Sequence, residues 1–398
     1  MLDYVGGNRL TLLKNGEQYF PALVAAIDAA TAEVFLETYI FADDQTGSLV
    51  AAALARAATR GVATHLLIDG FGAQDFAPRF REMLSKANAE VLVFRPAISP
   101  WPPWRQRMRL RRMHRKMASI DGAVAFVGGI NIIDDYHTPN QTPPRYDYAV
   151  CIEGPLAAQV HAEASKLWMR VSWATFGRRW RRWPGFALLS GRAPRHSPPQ
   201  GEPAAGSHHA ALAVRDNLRH RRDIEDAYLE LIDAAREEVV IASAYFFPGR
   251  RFRIALTRAA RRGVNVTVLL QGKADFRLLH YASRALYGPL LLVGVRIHEY
   301  HRSFLHAKVA VFDGRVASVG SSNIDPLSLL MAREANVFVD DAAFAAELRA
   351  SLHEAIENGS LAIPRRRRRL PFLLRARIWL SYRIARLLLA FYGYGREH

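Results

Sequence analysis

Residues 114–131 and 306–323 repeat one spacing: His, any residue, Lys, four residues, Asp, six residues, Gly, then Asn three positions on. The first copy is His114, Lys116, Asp121, Gly128 and Asn131; the second is His306, Lys308, Asp313, Gly320 and Asn323. On a strand, positions i and i+2 share a face, so each His points the same way as its Lys. Such a set suits a phosphodiester. The nonbridging oxygens need positive charge and donors, which two Lys and two Asn supply without a metal ion or a cofactor. One His can attack phosphorus to give a phosphohistidine while the other protonates the leaving alcohol; the second His then deprotonates the incoming acceptor. A lone His-x-Lys reads as a surface pair. Two copies do not, because only six Lys occur among the fifty-four basic residues and two of them stand at these matching places. Asp121 and Asp313 count with the catalytic set, although an Asp-Gly hairpin also has a plain turn role.

The elements that must position these residues recur as well. TRGVATHLLIDG parallels RRGVNVTVLLQG, and MHRKMASIDGAVAFVGGINI parallels LHAKVAVFDGRVASVGSSNI. Helical patterns at 18–30 and 49–60 alternate with strand patterns at 34–41, 64–70, 91–95 and 148–154, and the alternation restarts after residue 214. A repeat of this size means two copies of one α/β unit, so one chain holds both half-sites. The expected division is a first repeat over 1–185, a Pro/Gly-rich linker over 186–214, a second repeat over 215–359 and a basic amphipathic tail over 360–398.

Composition bounds the rest. The 398 residues are half hydrophobic, which suits two folded domains and excludes a wholly disordered chain. A net charge of +17 points to an anionic partner: nucleic acid, a membrane surface or a phosphate-bearing substrate. Cys151 is the single cysteine, which excludes an internal disulfide framework or a cysteine metal site. The first residues lack the basic-then-apolar layout of a signal peptide, and no apolar run is long enough to span a bilayer. Any membrane contact is therefore expected to be peripheral, on the cytoplasmic side.

The paired motifs resemble the HKD signature of the phospholipase D superfamily. ETYIFADD, LLIDGFG, YDYAVCIEGP, SAYFFPGRRF and VGSSNIDPLSLL further look like bacterial cardiolipin synthases of the B type. The resemblance implies an α/β fold of two tandem phospholipase-D-type repeats, with mixed sheets sandwiched by helices and the active site on a pseudo-two-fold between them. It implies transfer of a phosphatidyl group from one phosphatidylglycerol to the hydroxyl of another, releasing glycerol. An acidic residue downstream of each His orients its imidazole in that superfamily, and Asp147 and Glu334 occupy those places. Ser321 joins Asn131 and Asn323 in the expected substrate-binding set. The same residues would serve a hydrolase, either a lipid phospholipase D or a nuclease. A non-enzymatic basic scaffold is the reading of another class. Phospholipid and an anionic membrane surface are the expected partners, nucleic acid is not, and no second subunit is required.

Three stretches lie outside the motifs. WPPWRQRMRLRR (101–112) and RRWRRW (178–183) combine Trp with Arg, which suits a lipid headgroup interface. In the tail, five Arg at 365–369 precede Pro371, which can open a helix. At about 100° per residue, Arg375, Arg383 and Arg386 share one arc with Trp379, while Leu373, Leu380, Ile384, Leu387 and Leu388 take another side and Arg377 breaks the pattern. That helix is expected to bind anionic membrane.

Overall fold

The computed structural model describes residues 2–74, 76–95, 112–180, 206–216, 220–273, 277–326, 328, 332–365 and 371–391. In the first repeat, strands β1 (Val5–Lys14), β2 (Glu33–Thr38), β3 (Ala63–Asp69) and β4 (Glu90–Phe94) are joined by helices α1 (Asn15–Ala29), α2 (Gln45–Thr59) and α3 (Pro78–Lys86). Strands β5 (Lys116–Ile120) and β6 (Val124–Gly128) form the motif hairpin, and β7 (Arg145–Tyr146), β8 (Tyr148–Glu153) and α4 (Pro155–Trp180) follow. The second repeat comprises β9 (His208–Arg215), α5 (Asp223–Ala234), β10 (Glu238–Ser243), α6 (Arg250–Arg261), β11 (Asn265–Gln271), α7 (Arg277–Leu292) and β12 (Arg296–Tyr300). It continues through β13 (Phe304–Leu305), β14 (Lys308–Phe312), β15 (Val316–Gly320), β16 (Glu334–Asp340), α8 (Ala342–Gly359) and β17 (Ser360–Ala362), and α9 (Phe372–Phe391) closes the chain.

The strand order runs β17-β12-β11-β10-β14-β15-β16-β9-β1-β8-β6-β5-β2-β3-β4. It reads alike outward from the β9–β1 junction, so the two repeats share one mixed sheet. The expected sheets are joined because β1 pairs antiparallel with β9 at Val5–Ala210 and Asn8–His208. Helices cover each half on the outside: α1–α3 bury Leu23, Leu54 and Phe80 with Leu66, and α5–α7 bury Ile232, Leu256 and Leu290 with Val268. A central core joins Leu12, Val127 and Val150 of one half to Val309, Val319 and Val337 of the other, with Val160 of α4 and Leu348 of α8.

Two boundaries differ from the sequence reading. Residues 208–214, given to the linker, are strand β9, and β17 extends the second repeat past residue 359 by pairing with β12. Most of the expected linker, residues 186–205, lies outside the described residues, as do 101–111 and 181–183 of the Trp-Arg stretches. The sequence pattern does not single out α4, whose apolar residues are split between buried Leu156, Val160 and Leu167 and exposed Met169 and Trp173. No helix among the described residues is long and apolar enough to cross a membrane.

Candidate active site

Each motif hairpin carries its Asp-Gly at the turn with positive φ at both residues, 53° and 68° at Asp121-Gly122 and 48° and 62° at Asp313-Gly314. Two residues of positive φ give the turn whose twist matches the flanking strands. Each strand then delivers its Lys at the far end: Lys116 opens β5 and Lys308 opens β14. Consequently Asp121 and Asp313 are not brought to the site. They sit past the opposite end of a five-residue strand, roughly 16 Å of chain away at 3.3 Å per residue. Asp121 accepts from the backbone N–H groups of Thr31, Ala32 and Glu33, and Asp313 from those of Arg236, Glu237 and Glu238. Those donors hold both carboxyls below the usual range against the opposing effect of burial, the largest single influence. Both residues fix the turn before β2 and β10.

The two half-sites are interlocked rather than adjacent. The residues just before each His pair with the residues just before the acid of the other repeat. Phe304 and Leu305 pair with Arg145 and Tyr146, and the backbone N–H of His306 donates to Tyr146 O at 2.8 Å. Met113 bridges to Arg333, and the backbone N–H of His114 donates to Arg333 O at 2.9 Å. This exchange aims Nδ1 of His306 at Asp147 Oδ2 (2.6 Å) and Nδ1 of His114 at Glu334 Oε1 (2.9 Å). A carboxylate only accepts, so each Nδ1–H donates and each Nε2 keeps its lone pair.

The lysines complete the charge pattern. Lys116 Nζ donates to His114 O at 2.6 Å and lies 5.6 Å from the ring centre of Tyr39. Lys308 Nζ is 3.6 Å from Asp147, contacts His306 Nδ1 at 2.8 Å and donates to His306 O. Burial lowers both ammonium groups, Lys116 to about 7 and Lys308 to about 8, with Glu334 and Asp147 opposing the drop. Burial also lowers both imidazoles, His306 to about 3 with Lys308 adding to the effect. Burial pushes Asp147 up, but Lys308 and His306 together leave it below the ordinary carboxylate range. One neutral and one charged imidazole are expected from the reaction; in the free protein, desolvation beside two ammonium groups favours the neutral form of both.

Asn131 and Asn323 are buried at the ends of the hairpins. Asn131 Oδ1 accepts from Ile40 N–H at 3.2 Å, while Asn323 Oδ1 has no partner among the described residues. Ser321, expected to bind substrate, is buried, and its hydroxyl donates to Glu334 Oε2 at 2.5 Å. It therefore contacts the carboxylate that meets His114. Among the described residues, no His, Cys, Asp and Glu group could hold a metal ion.

Sequence spacing misses three supporting groups. Tyr39 packs edge-on against His114, with ring centres 4.9 Å apart. Buried Asp69 accepts from Met113 N–H at 2.9 Å and so places the segment carrying His114. Gln271 accepts from Leu305 N–H at 2.9 Å in the other half. Asp69 and Gln271 end the matching parallel strands β3 and β11, where sites in α/β sheets gather, and that position is the signal that could have found them.

With this geometry in place, comparison with known proteins is specific. A family model described as cardiolipin synthase, PLD-like domain, matches residues 23–168 and 228–356, the two repeats. Cardiolipin synthase B of Escherichia coli is 40% identical over 354 residues, covering 88% of this chain and 81% of the relative. A cardiolipin synthase of Geobacillus kaustophilus is 31% identical over 333 residues, covering 83% and 63%. Among solved structures, phosphatidylserine synthase of Haemophilus influenzae superposes with a TM-score of 0.69 at 12% identity, covering 99% of this chain and 97% of that one. That likeness establishes the shared fold.

Proposed function

The chain belongs to the cardiolipin synthase family with PLD-like domains, and from that premise we propose that it transfers a phosphatidyl group between two phosphatidylglycerol molecules. The observation that carries the reading is that His114 and His306 are each held by an acid of the other repeat, with Lys116 at the carbonyl of His114 and Lys308 at that of His306. The phosphodiester anion enters between the two ammonium groups, and its charge raises the proton affinity of the imidazoles that burial had lowered. One Nε2 attacks phosphorus as the bond to glycerol oxygen breaks, and the other imidazole gives that oxygen its proton. A hydroxyl of the second phosphatidylglycerol then attacks the phosphohistidine. The protonated partner is restored by taking the hydroxyl proton, and the P–N bond breaks to give cardiolipin.

The remaining parts of the reading are that Asn131 and Asn323 hold the nonbridging oxygens and that the protein works at the cytoplasmic membrane surface. The second is supported by the +17 charge, since anionic lipid of that leaflet attracts basic segments. The test is a product assay with phosphatidylglycerol in detergent. Cardiolipin with equimolar glycerol supports the proposal; phosphatidic acid assigns the site to hydrolysis, and no lipid product overturns both.

A further inference from the structure

Helix α9 lies beyond the residues that the family model matches, and its packing uses only part of its apolar surface. Leu389 is buried, and with Tyr382 and Ala385 it faces Phe247 together with Ala282 and Leu286 of α7; Ile378 is buried as well. Positions 378, 382, 385 and 389 follow the i, i+4, i+7, i+11 spacing of one helix face. Leu373, Leu380 and Leu387 recur every seven residues, a spacing that drifts only about 20° per step. They fall on the side away from α7 and remain 78, 53 and 69% exposed. Phe372, Trp379, Ile384 and Leu388 are exposed as well. The helix is thus apolar on two faces, and the protein covers one.

The polar residues between the two faces have a single sign. Residues 372–391 contain Arg375, Arg377, Arg383 and Arg386 and no acidic residue. Arg383 lies over Trp379 and Arg386 over Tyr382. Arg253 of α6 stands within the field of both Arg386 and Arg250. A second copy of this helix would set these guanidinium groups against their own kind. An apolar stripe bordered by Arg matches the boundary of an anionic bilayer, where leucines enter the acyl edge and guanidinium groups meet phosphate.

We infer that the Leu373–Leu380–Leu387 face of α9 is the membrane-docking surface, with α9 lying in the plane of an anionic phospholipid bilayer. The inference rests on the proposed lipid reaction and adds the place of contact. Helix α7, on which α9 sits, also lines a cleft with Ala244, Phe246, Gln271 and Lys273 beside the end of β10. That cleft lies next to the strand that pairs with Lys308 at Ser243.

The test compares the full chain with its Leu380→Glu/Leu387→Glu variant. Vesicles of phosphatidylglycerol with phosphatidylcholine, and of phosphatidylcholine alone, are used for co-sedimentation. The unaltered chain should prefer the anionic vesicles, and the variant should lose about tenfold or more in partitioning to them. Its thermal transition and its turnover of short-chain, water-soluble phosphatidylglycerol should be unchanged, because both side chains are exposed and outside the site. Undiminished vesicle binding by the variant overturns the inference. So does a dimer of the unaltered chain that the substitutions dissociate without loss of vesicle binding, which would make this face a contact between copies. Vesicle binding that behaves as expected while neither protein forms a lipid product leaves the docking surface standing and rejects the proposed reaction.

Discussion

Glu334 Oε1 stands 2.9 Å from Nδ1 of His114, two residues separated by 220 positions and belonging to different repeats. Asp147 holds His306 in the same way across 159 positions. Among the described residues neither His114 nor His306 meets its acid within its own repeat, so the proposed centre requires both halves. Substituting Glu334→Gln or Asp147→Asn should lower kcat by about 10²–10⁴-fold, with a smaller change in KM, because the wrong tautomer is favoured while the fold is kept. Steady-state kinetics on phosphatidylglycerol in mixed micelles check this, and activity within a factor of two of the unaltered protein would refute the orienting role.

A shared centre also makes its members interdependent. His114→Ala and His306→Ala should each abolish turnover, and the double variant should be no worse than either single one. Retention of half the activity in one single variant would reveal two independent sites.

Ser321 offers a separate test of the same carboxylate. Ser321→Ala removes the donor to Glu334 Oε2 and should reduce kcat by about 10–100-fold while KM stays nearly constant. A rise in KM at constant kcat would instead place the hydroxyl on substrate.

The pH dependence follows from the depressed lysines. Charge on Lys116 and Lys308 is lost as pH rises through about 7 and about 8 in the free protein, so kcat/KM should fall on that limb. Chelation with EDTA should leave turnover intact, because these lysines and two asparagines already meet the phosphate. Stability moves the other way with acid. Between pH 6.5 and about 3 the unfolded chain binds a proton at His306 that the native site resists, so stability falls as pH drops through this window. The depressed Asp147 acts in the same direction at lower pH. Melting temperatures from pH 7 to 4 should decline, and His306→Gln should remove part of that decline; a pH-independent profile would contradict the buried neutral imidazole.

A buried ion pair distinguishes the first repeat from the second. Arg115 and Glu37 form a bidentate pair beneath the first site, with Arg115 Nη2 2.7 Å from Glu37 Oε1. The strand pairings place Ala307 and Ala242 at the matching positions of the second repeat. Glu37→Ala or Arg115→Ala alone should cost about 3–5 kcal/mol by stranding a buried charge. The double replacement should cost less than either single one, as measured by denaturant unfolding.

The sequence by itself determined the repeated His, Lys and Asn, the Asp-Gly turns and a tail helix after Pro371, because each depends on local spacing and backbone preference. It also marked Asp147 and Glu334 as the acids, through the resemblance. Only the tertiary structure decided that each acid serves the His of the other repeat, since that pairing is made by β7 with β13 and by the Met113–Arg333 bridge. It withdrew Asp121 and Asp313 to the far ends of their strands, which a linear motif cannot display. It turned one apolar face of α9 onto α7 and left the leucine stripe outward, a choice that a helical wheel with two apolar sides leaves open. The neutral imidazoles were hidden for a like reason: desolvation is set by everything that surrounds a group, and the groups around His114 and His306 come from both halves of the chain.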